Sequence, residues 1–351
     1  ETDRVPFATA PVGTGPYRLV RWDRGRSIEL VANPLYWRGR PSIDRIDYEI
    51  APTTDAALAL LKDHGADGWL RVPPSFYDEV KRVSGYRVRS APSLAYTHLD
   101  LNQENPLFDD VRVRRAIDDA IDRDAIVTKA LDGAADAAWT DVSPLSWAYD
   151  PKAKHAAPDA ARARALLRSA GWAPGADGIL RKGSTTFSFA ISTAAQSAAG
   201  VAIEAILQQE LHDVGIETTI KNYPSAQFFA SYDDNGVLFR GRYDAALFSW
   251  TAGADPDDSS EYMCDQIPPA GQNDLFWCDD RFDAAERGAL STYDESIRKR
   301  YYAVTQAELA SQAPTIVLDF ARQIFVTAPG LRGFAPSPAT SSNWNAWEWS
   351  I

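Results

Sequence analysis

Residues 243–258 have the sequence YDAALFSWTAGADPDD, which changes character halfway along. The first half is apolar and predicts a strand that is buried on both faces of a sheet. The second half is a loop of small residues with an acidic Asp-Pro pair, and Trp250 stands where the strand ends. In open α/β sheets, ligands bind in the crevice beyond the carboxyl ends of the strands. Trp250 is therefore a candidate ligand platform, although an aromatic residue that fills a gap in the core would give the same pattern.

The chain before this stretch alternates between strands and helices. A predicted strand at residues 186–192 leads into a long helix that carries Ile203, Leu207 and Leu211 on one face. Another strand follows Gly215, which is expected to end the helix. Units of strand, helix and strand at this spacing predict right-handed crossovers and a parallel sheet. The class predicted for this part of the chain is α/β.

Further apolar patterns mark elements elsewhere in the chain. A helix is predicted at residues 293–312, with Ile297, Tyr301 and Val304 on its buried face. Short apolar runs predict strands. They lie at residues 86–91, 94–102, 315–320 and 324–327, and the aromatic tail at 344–349 is predicted to be β-like.

The order of these elements predicts two lobes, since 351 residues are too many for one comfortable core. A β-rich lobe is expected to contain residues 1–98 and 318–351, and an α/β lobe residues 99–317. The chain then crosses between the lobes twice. Such connections are typical of a hinged clamp that closes around a ligand.

Composition and charge exclude some classes of partner. The formal net charge is −12 and no cluster of Lys and Arg is present, which argues against binding nucleic acid or anionic lipid. No apolar run is long enough for a membrane span. The 11 Trp and 14 Tyr favour stacking on peptides, sugars or other organic ligands.

Two cysteines, Cys264 and Cys278, occur in one loop-rich region. A disulfide that closes a short loop is the preferred interpretation, and it implies an oxidising compartment. Two buried free thiols are the alternative. The four His residues are far from the cysteines in sequence, so no metal site is predicted.

Signs of catalysis are weak. No G-x-S-x-G elbow is present, and the His residues do not form a metal-binding spacing. Pairs of carboxylates occur at helix starts or in loops, where capping a helix explains them. They are Asp109-Asp110, Asp233-Asp234, Asp257-Asp258 and Asp279-Asp280. We therefore predict neither an enzyme nor a bound cofactor.

Several longer motifs carry a resemblance to a known family. They are residues 13–17 (GTGPY), 33–37 (NPLYW), 99–102 (LDLN), 106–117 (PLFDDVRVRRAI), 165–167 (ALL), 170–171 (AG), 215–216 (GI), 250–256 (WTAGADP) and 313–316 (APTI). In this order they resemble the peptide/nickel/opine class of extracytoplasmic solute-binding proteins that serve ABC importers.

The resemblance implies a two-lobed periplasmic-binding-protein-like fold of type II, in its peptide-binding class. Family members carry a further N-terminal portion, so we expect one complete α/β lobe and one partial β-rich lobe. The implied ligand is a short peptide, another small organic solute or a metal chelate. The implied partners are the importer's membrane subunits, and a monomer outside the cytoplasm, periplasmic or extracellular, is expected. A hydrolase of glycans or peptides, or a ligand-sensing module without transport, stay open as alternatives.

The resemblance also implies the site. The predicted ligand-binding residues are Trp250, Thr251, Ala252, Gly253 and Asp255 in one loop, with Tyr96 and Trp139 as additions. Dipeptide- and oligopeptide-binding members carry a carboxylate a few residues after the Trp, where it pairs with the peptide's ammonium group. None of residues 251–254 can ionise here. The spacing is closer to nickel-chelate members, and Asp255 is expected to cap the next turn.

Overall fold

The structure is a computed structural model that describes residues 11–153 and 157–351. Its strands are β1 (Tyr17–Asp23), β2 (Ser27–Ala32), β3 (Arg45–Glu49), β4 (Gly68–Val72), β5 (Arg87–Leu101), β6 (Ala135–Ala137), β7 (Ala173–Pro174), β8 (Leu180–Lys182), β9 (Thr185–Thr186), β10 (Ser188–Ser192), β11 (Glu217–Ile220), β12 (Ala245–Thr251) and β13 (Thr315–Thr327). Its α-helices are α1 (Thr54–Lys62), α2 (Tyr77–Lys81), α3 (Val111–Ala120), α4 (Arg123–Lys129), α5 (Ala160–Ser169), α6 (Ala198–Asp213), α7 (Ser225–Phe228), α8 (Ser259–Tyr262), α9 (Asp280–Leu290) and α10 (Glu295–Gln312).

The chain divides into two compact units. The first unit ends at Ala91 and resumes at Gln323, and the second comprises residues 92–322. Both divisions therefore fall inside strands, β5 and β13. The sequence-based boundaries after residues 98 and 317 lie in the same two strands.

The first unit is β-rich with two short helices. Strands β1, β2 and β3 form an antiparallel sheet in that order. Helix α1 begins after Thr53, whose hydroxyl accepts the backbone N–H of Ala56, and it buries Leu58 and Leu61. Strand β4 pairs antiparallel with the last part of β13, where Ile324 lies opposite Val72.

Ala346 and Trp349 of the aromatic tail pack in the core of the first unit, but the tail is not β-like as predicted. Residues Ala346–Glu348 form a 3₁₀ helix, and one isolated bridge joins Arg332 to Ser350. The Trp349 indole N–H donates to Asn345 Oδ1 at 3.1 Å, which holds the chain in a turn. The Trp349 ring packs on Phe334, with 5.6 Å between ring centroids. Local hydrogen bonding thus overrides the β-propensity of the aromatic residues.

The second unit contains a mixed sheet. Its strands follow the order β11-β10-β12-β5-β13, and β6 pairs with β13. Strand β10 is parallel to both β11 and β12, as the crossover pattern predicts. Strand β12 is antiparallel to β5, so the sheet is not purely parallel.

Strand β12 is buried on both faces only in its first half. Residues Ala245, Ala246 and Leu247 are fully buried, whereas Phe248 to Thr251 are partly or well exposed. Strand β10 reaches only as far as Ser192, which lies opposite Ala246. The second half of β12 therefore has β5 beside it on one edge and no ladder to β10 on the other. Its exposure begins where the ladder to β10 ends.

One face of helix α6 packs in the core of the second unit. Its residues Ile203, Leu207 and Leu211 are buried, as predicted. Gly215 follows the helix with a φ of 90°, where a Cβ would lie 3.0 Å from the Gly178 carbonyl oxygen. A side chain at this position would be strained by both its backbone angle and its surroundings.

Two sequence predictions place a break where the structure has a continuous strand. Residues 87–101 form one strand, β5, and residues 315–327 form one strand, β13. The polar residues in the middle of β13 suggest a turn in the sequence. In the structure Ala321 lies opposite Ala135 of β6, and Arg322 forms an ion pair with Asp136 at 2.7 Å. Pairing with β6 therefore stabilises the extended backbone in the middle of β13, where the local sequence suggests a turn.

The prediction for the buried face of helix α10 is wrong for Tyr301. Tyr301 is 37% exposed, and the neighbouring Tyr302 is fully buried. Ile297 and Val304 are half-buried. The buried face includes Gln306, a polar residue with internal hydrogen-bond partners, so the apolar pattern predicts the wrong phase of the helix.

The predicted disulfide between Cys264 and Cys278 is present, with sulfur atoms 2.09 Å apart. The enclosed loop is organised by Asn273, which is fully buried. Its side-chain nitrogen lies 3.1, 3.0 and 2.8 Å from the carbonyl oxygens of Tyr262, Met263 and Trp277, so its two N–H groups serve three acceptors and one of them is shared. A buried amide with its N–H groups satisfied holds the loop in one conformation.

Within the described residues, no helix is both long and apolar enough to cross a bilayer.

We predict that the disulfide stabilises the second unit through the short loop it closes. The cysteines are separated by 14 residues, which corresponds to about 3 kcal/mol in the chain-entropy model. The double variant Cys264→Ser/Cys278→Ser should lose about this much free energy of unfolding in chemical denaturation. Wild-type protein under reducing conditions is the control and should lose a similar amount. Equal stability of the variant and the oxidised wild type would contradict the prediction.

A second prediction concerns buried carboxyl groups. Burial raises the pKa of Asp319, in β13, to about 7, and burial raises the pKa of Glu286, in α9, to about 8. In the unfolded chain such groups have pKa values of about 4. The folded state therefore binds more protons between these limits, and stability falls as pH rises from 5 to 8, by at most about 1.4 kcal/mol per pH unit for each group.

The measurement is the free energy of unfolding against pH for the wild type and Asp319→Asn. The variant should lose less stability between pH 5 and 8, because it has one fewer carboxyl group with a raised pKa. Asp177→Asn is the matched control. Arg181 holds the pKa of Asp177 well below its usual range, so that carboxylate stays ionised throughout this window. An identical pH slope for the wild type and Asp319→Asn would contradict the assignment.

Candidate functional site

Residues 251–258, which begin with the last residue of β12, are here called the solute loop. Trp250 precedes it and lies opposite Tyr96 in the antiparallel ladder with β5. The Trp250 side chain is half-buried and packs, together with Ala252, on the cluster of Tyr96, Ala138, Val317 and Phe320. Part of the indole therefore rests on the core and part is open. Both interpretations of Trp250, packing residue and ligand platform, have a physical basis in this arrangement.

The part of the solute loop directly after Trp250, residues 251–255, is mostly open, and residues 251–254 carry no charge. Thr251, Gly253, Ala254 and Asp255 are exposed, and Ala252 is half-buried. None of the residues between Trp250 and Asp255 can ionise. A ligand here would meet an indole face, small side chains and backbone groups. Such surroundings suit stacking and backbone hydrogen bonds rather than a charged anchor.

Asp255 does not cap the next turn, contrary to the sequence prediction. Its two carboxylate oxygens accept hydrogen bonds from Arg298 at 2.8 and 2.6 Å. Asp257 instead accepts the backbone N–H of Ser259 at 3.0 Å, at the start of α8. A bidentate, charge-assisted pair is stronger than a neutral N–H contact, which explains why Asp255 is drawn to the guanidinium. The same pair raises the pKa of Arg298 above its ordinary value.

Tyr96 lies beneath Trp250 in the core of the second unit and is 1% exposed. Its hydroxyl is 3.1 Å from that of Tyr262, which α8 carries. Burial raises the pKa of both phenols well above the usual value, so both hydroxyls remain protonated. In this arrangement Tyr96 supports the indole of Trp250 and links it to the helix that follows the solute loop.

Trp139 lies next to Ala138, which packs on Tyr96. Its ring centroid is 5.8 Å from the guanidinium carbon of Arg123. That guanidinium donates to the carbonyl oxygens of Ala138 and Val317, both at 2.7 Å, and to Asp118 at 2.5 Å. The cavity beside these groups has a volume of about 10 Å³, roughly the space of one water molecule.

The segment that begins with Trp139 is here called the aromatic loop, residues 139–149. It contains Trp147 and Tyr149, which pack with the buried Val142, Ala148 and Tyr302. A buried carboxyl pair connects it to the solute loop: Asp141 and Asp258 hydrogen-bond to each other and are 2% and 5% exposed. Burial raises the pKa of both carboxyls, so the pair retains a proton that the two oxygens share.

The structure thus gathers most of the predicted residues in one region of the second unit. Trp250 and the solute loop adjoin Tyr96, and Trp139 is next to the same buried cluster. Three residues of helix α10 that together contact both loops were not predicted from the sequence: Arg298, Tyr302 and Gln306. Their spacing of i, i+4 and i+8 on one helix face is the signal that could have identified them. Among the residues described, no three or more His, Cys, Asp or Glu side chains are grouped so that they could hold a metal ion.

Comparison of the sequence with known proteins identifies a family. The sequence model of Bacterial extracellular solute-binding proteins, family 5 Middle, matches residues 1–268. The oligopeptide-binding protein AppA of Bacillus subtilis is 28% identical over 334 residues, which are 93% of this chain and 60% of AppA. The dipeptide-binding protein of Pseudomonas aeruginosa is also 28% identical, with the same two shares. The chain therefore spans about 60% of the length of these relatives.

Solved structures agree with the sequence comparison. AppA from Bacillus subtilis in complex with a nonapeptide matches with a TM-score of 0.79 at 26% identity, over 95% of this chain and 66% of AppA. NikZ from Campylobacter jejuni in complex with Ni(L-His) matches with a TM-score of 0.80 at 26% identity, over 99% of this chain and 70% of NikZ. The fold is thus the α/β, two-lobed type II fold of periplasmic binding proteins, as the resemblance implies. With its family's sequence model matching residues 1–268 of 351, the chain belongs to the bacterial extracellular solute-binding proteins, family 5.

Proposed function

We propose that the chain captures a small organic solute for an ABC importer by binding alone. The observation that carries the proposal is Trp250, a half-buried indole at the end of β12 beside an exposed loop. An indole seated on a packed core offers a rigid flat surface, and rigidity lowers the entropy cost of binding. Membership of the family supports the proposal, as do the binding roles in the names of the relatives.

The proposed solute is peptide-like, another small organic compound or a metal chelate. An ammonium group in a desolvated site is best anchored by a carboxylate. Residues 251–254 supply none, and both oxygens of Asp255 are engaged by Arg298. We infer that the solute stacks on Trp250 and bonds to loop backbone, with Thr251, Ala252 and Gly253 as neighbours. A dipeptide anchored by its free amino group fits this loop less well.

The proposed setting is the periplasm or the outer face of the cell. The disulfide supports this location, because disulfides persist in oxidising compartments. In this setting the protein acts as a monomer, with a β-rich lobe of residues 1–98 and 318–351 and an α/β lobe of residues 99–317. These lobes close around the solute and deliver it to the importer's membrane subunits. Tyr96 supports Trp250 from the core, and Trp139 adds a second aromatic side chain.

A glycan hydrolase of the usual type would need two carboxyl groups that a substrate can reach. The carboxyl pair next to the solute loop, Asp141 and Asp258, is buried and hydrogen-bonded internally. We therefore propose no catalysis. A solute incubated for a long time with the protein should be recovered unchanged by mass spectrometry. Cleaved product that disappears in an Asp258→Asn variant would reverse this conclusion.

We predict that Trp250→Ala weakens solute binding at least tenfold, about 1.4 kcal/mol, because the stacking surface is lost. The solute is first identified by mass spectrometry of material that co-purifies with the protein. Synthetic oligopeptides and a nickel–histidine chelate serve as the starting set. Affinity is then measured by isothermal titration calorimetry.

Tyr293→Ala is the matched control for this variant. Tyr293 is a fully exposed aromatic residue before helix α10, so its loss should leave affinity unchanged. Circular dichroism should give the same folded signal for all three proteins. Equal affinity of wild type and Trp250→Ala would exclude Trp250 as a contact.

A further inference from the structure

Helix α10 contacts both loops of the candidate site through one face. Arg298, Tyr302 and Gln306 occur on that face at intervals of four residues, so they lie above one another along the helix. Tyr302 and Gln306 are fully buried, and the Arg298 side chain is 13% exposed. These side chains are therefore held in place by the core of the second unit.

Gln306 fastens the aromatic loop and the residues next to it. Its side-chain amide donates to the carbonyl oxygen of Ala148 at 3.0 Å. Its side-chain oxygen accepts the backbone N–H of Asp150 at 3.0 Å. The Tyr302 ring packs edge-on against Trp147, with 5.8 Å between centroids. The aromatic loop is thus held to the helix by a buried amide and a buried ring.

Arg298 fastens the solute loop to the same helix face. Its guanidinium donates two hydrogen bonds to Asp255, and one of its terminal nitrogens also donates to the Tyr302 hydroxyl at 2.8 Å. The guanidinium carbon lies 5.3 Å from the Trp147 ring centroid and 5.4 Å from that of Tyr302. Arg298 therefore contacts both loops, and two aromatic rings hold it in one conformation.

An ion pair with an exposed carboxylate commonly contributes little, because two mobile side chains must be ordered. Asp255 is 54% exposed, but its partner is already ordered by Tyr302 and Trp147. The fork geometry is also bidentate, which fixes direction as well as distance. Most of the entropy cost of ordering Arg298 has thus been met before it pairs with Asp255. The ion pair can therefore determine the position of the solute loop.

We propose that Arg298 is a positioning residue of the solute site, which holds the solute loop in register with the aromatic loop through Asp255. The inference rests on the proposed function of Trp250 and its loop. Arg298 has no contact with the solute in this proposal. It raises affinity by keeping the binding-competent arrangement of the loop populated.

The test uses Arg298→Met and Asp255→Asn in the full chain. Each should weaken binding of the identified solute about threefold to thirtyfold, the range typical of coupling through a positioning contact. Because both variants break one pair, the double variant should be no weaker than the worse single variant. The charge-reversed double variant Asp255→Arg/Arg298→Asp should recover part of the affinity. Arg300→Met, which removes the same charge from an exposed position of α10, should bind like the wild type.

Hydrogen–deuterium exchange of residues 251–258 gives a second readout that needs no solute. Exchange there should be faster in both single variants, with no change at the β10–β11 ladder. Asp255→Asn alters an exposed side chain, so it keeps the test valid if Arg298→Met folds poorly. If Trp250→Ala weakens binding but Asp255→Asn and Arg298→Met do not, the inference is overturned and the proposed function stands. If Trp250→Ala leaves affinity unchanged, Trp250 is excluded as a contact, and the inference is then decided by loop exchange, which must be faster in both single variants.

Discussion

The antiparallel ladder between β12 and β5 fixes the geometry on which the candidate site depends. It sets Trp250 opposite Tyr96 and so seats the indole on a tyrosine that is buried and hydrogen-bonded to Tyr262. A shift of this register by one residue would turn Trp250 to the other face of the sheet. The fully buried first half of β12 opposes such a shift, because Ala245 and Leu247 would also have to change faces. Core packing at the start of β12 thereby determines the face of the sheet on which Trp250 lies at its end.

The two loops that flank Trp250 are ordered by polar side chains from within the protein. Gln306 and Arg298 satisfy backbone and carboxylate groups that belong to different segments. A buried amide with both ends occupied, and a guanidinium between two rings, have few other conformations open to them. This arrangement allows an exposed loop of small residues to have a defined position. The small residues at 251–254 can then stay close to Trp250 without contributing rigidity themselves.

The sequence was informative where local chemistry determines structure. The apolar run before Trp250 located β12, the spacing of Ile203, Leu207 and Leu211 gave the buried face of α6, and the two cysteines predicted the disulfide. Prediction from the sequence failed where the contact of a side chain depends on a residue that is distant in sequence. Asp255 and Arg298 are 43 positions apart, so the local sequence gives no sign of their contact. A carboxylate just before a turn predicted a helix cap, whereas its partner in the structure is the Arg298 guanidinium.

Periodicity failed for α10 for a related reason. A helix face that buries Gln306 and Thr305 looks polar in sequence, although each side chain has an internal hydrogen-bond partner. The neighbouring Tyr301 therefore looked like the core residue in place of Tyr302. The acid pair of Asp141 and Asp258 was hidden in the same way, because one member belongs to a run of carboxylates typical of exposed loops. The residues of the site that escaped prediction are those whose partners lie on other segments.

The protonated carboxyl groups have a consequence for the charge of the native protein. A formal net charge of −12 and an isoelectric point of 4.9 assume that every acid titrates as it does in a free peptide. Asp258, Asp274, Glu286 and Asp319 keep their protons to higher pH in the folded state. In mildly acidic solution the native protein therefore carries less negative charge than its composition suggests. At a pH where these four groups are protonated in the folded state and ionised in the unfolded chain, folding removes negative charge from them, which should alter the electrophoretic mobility of the protein.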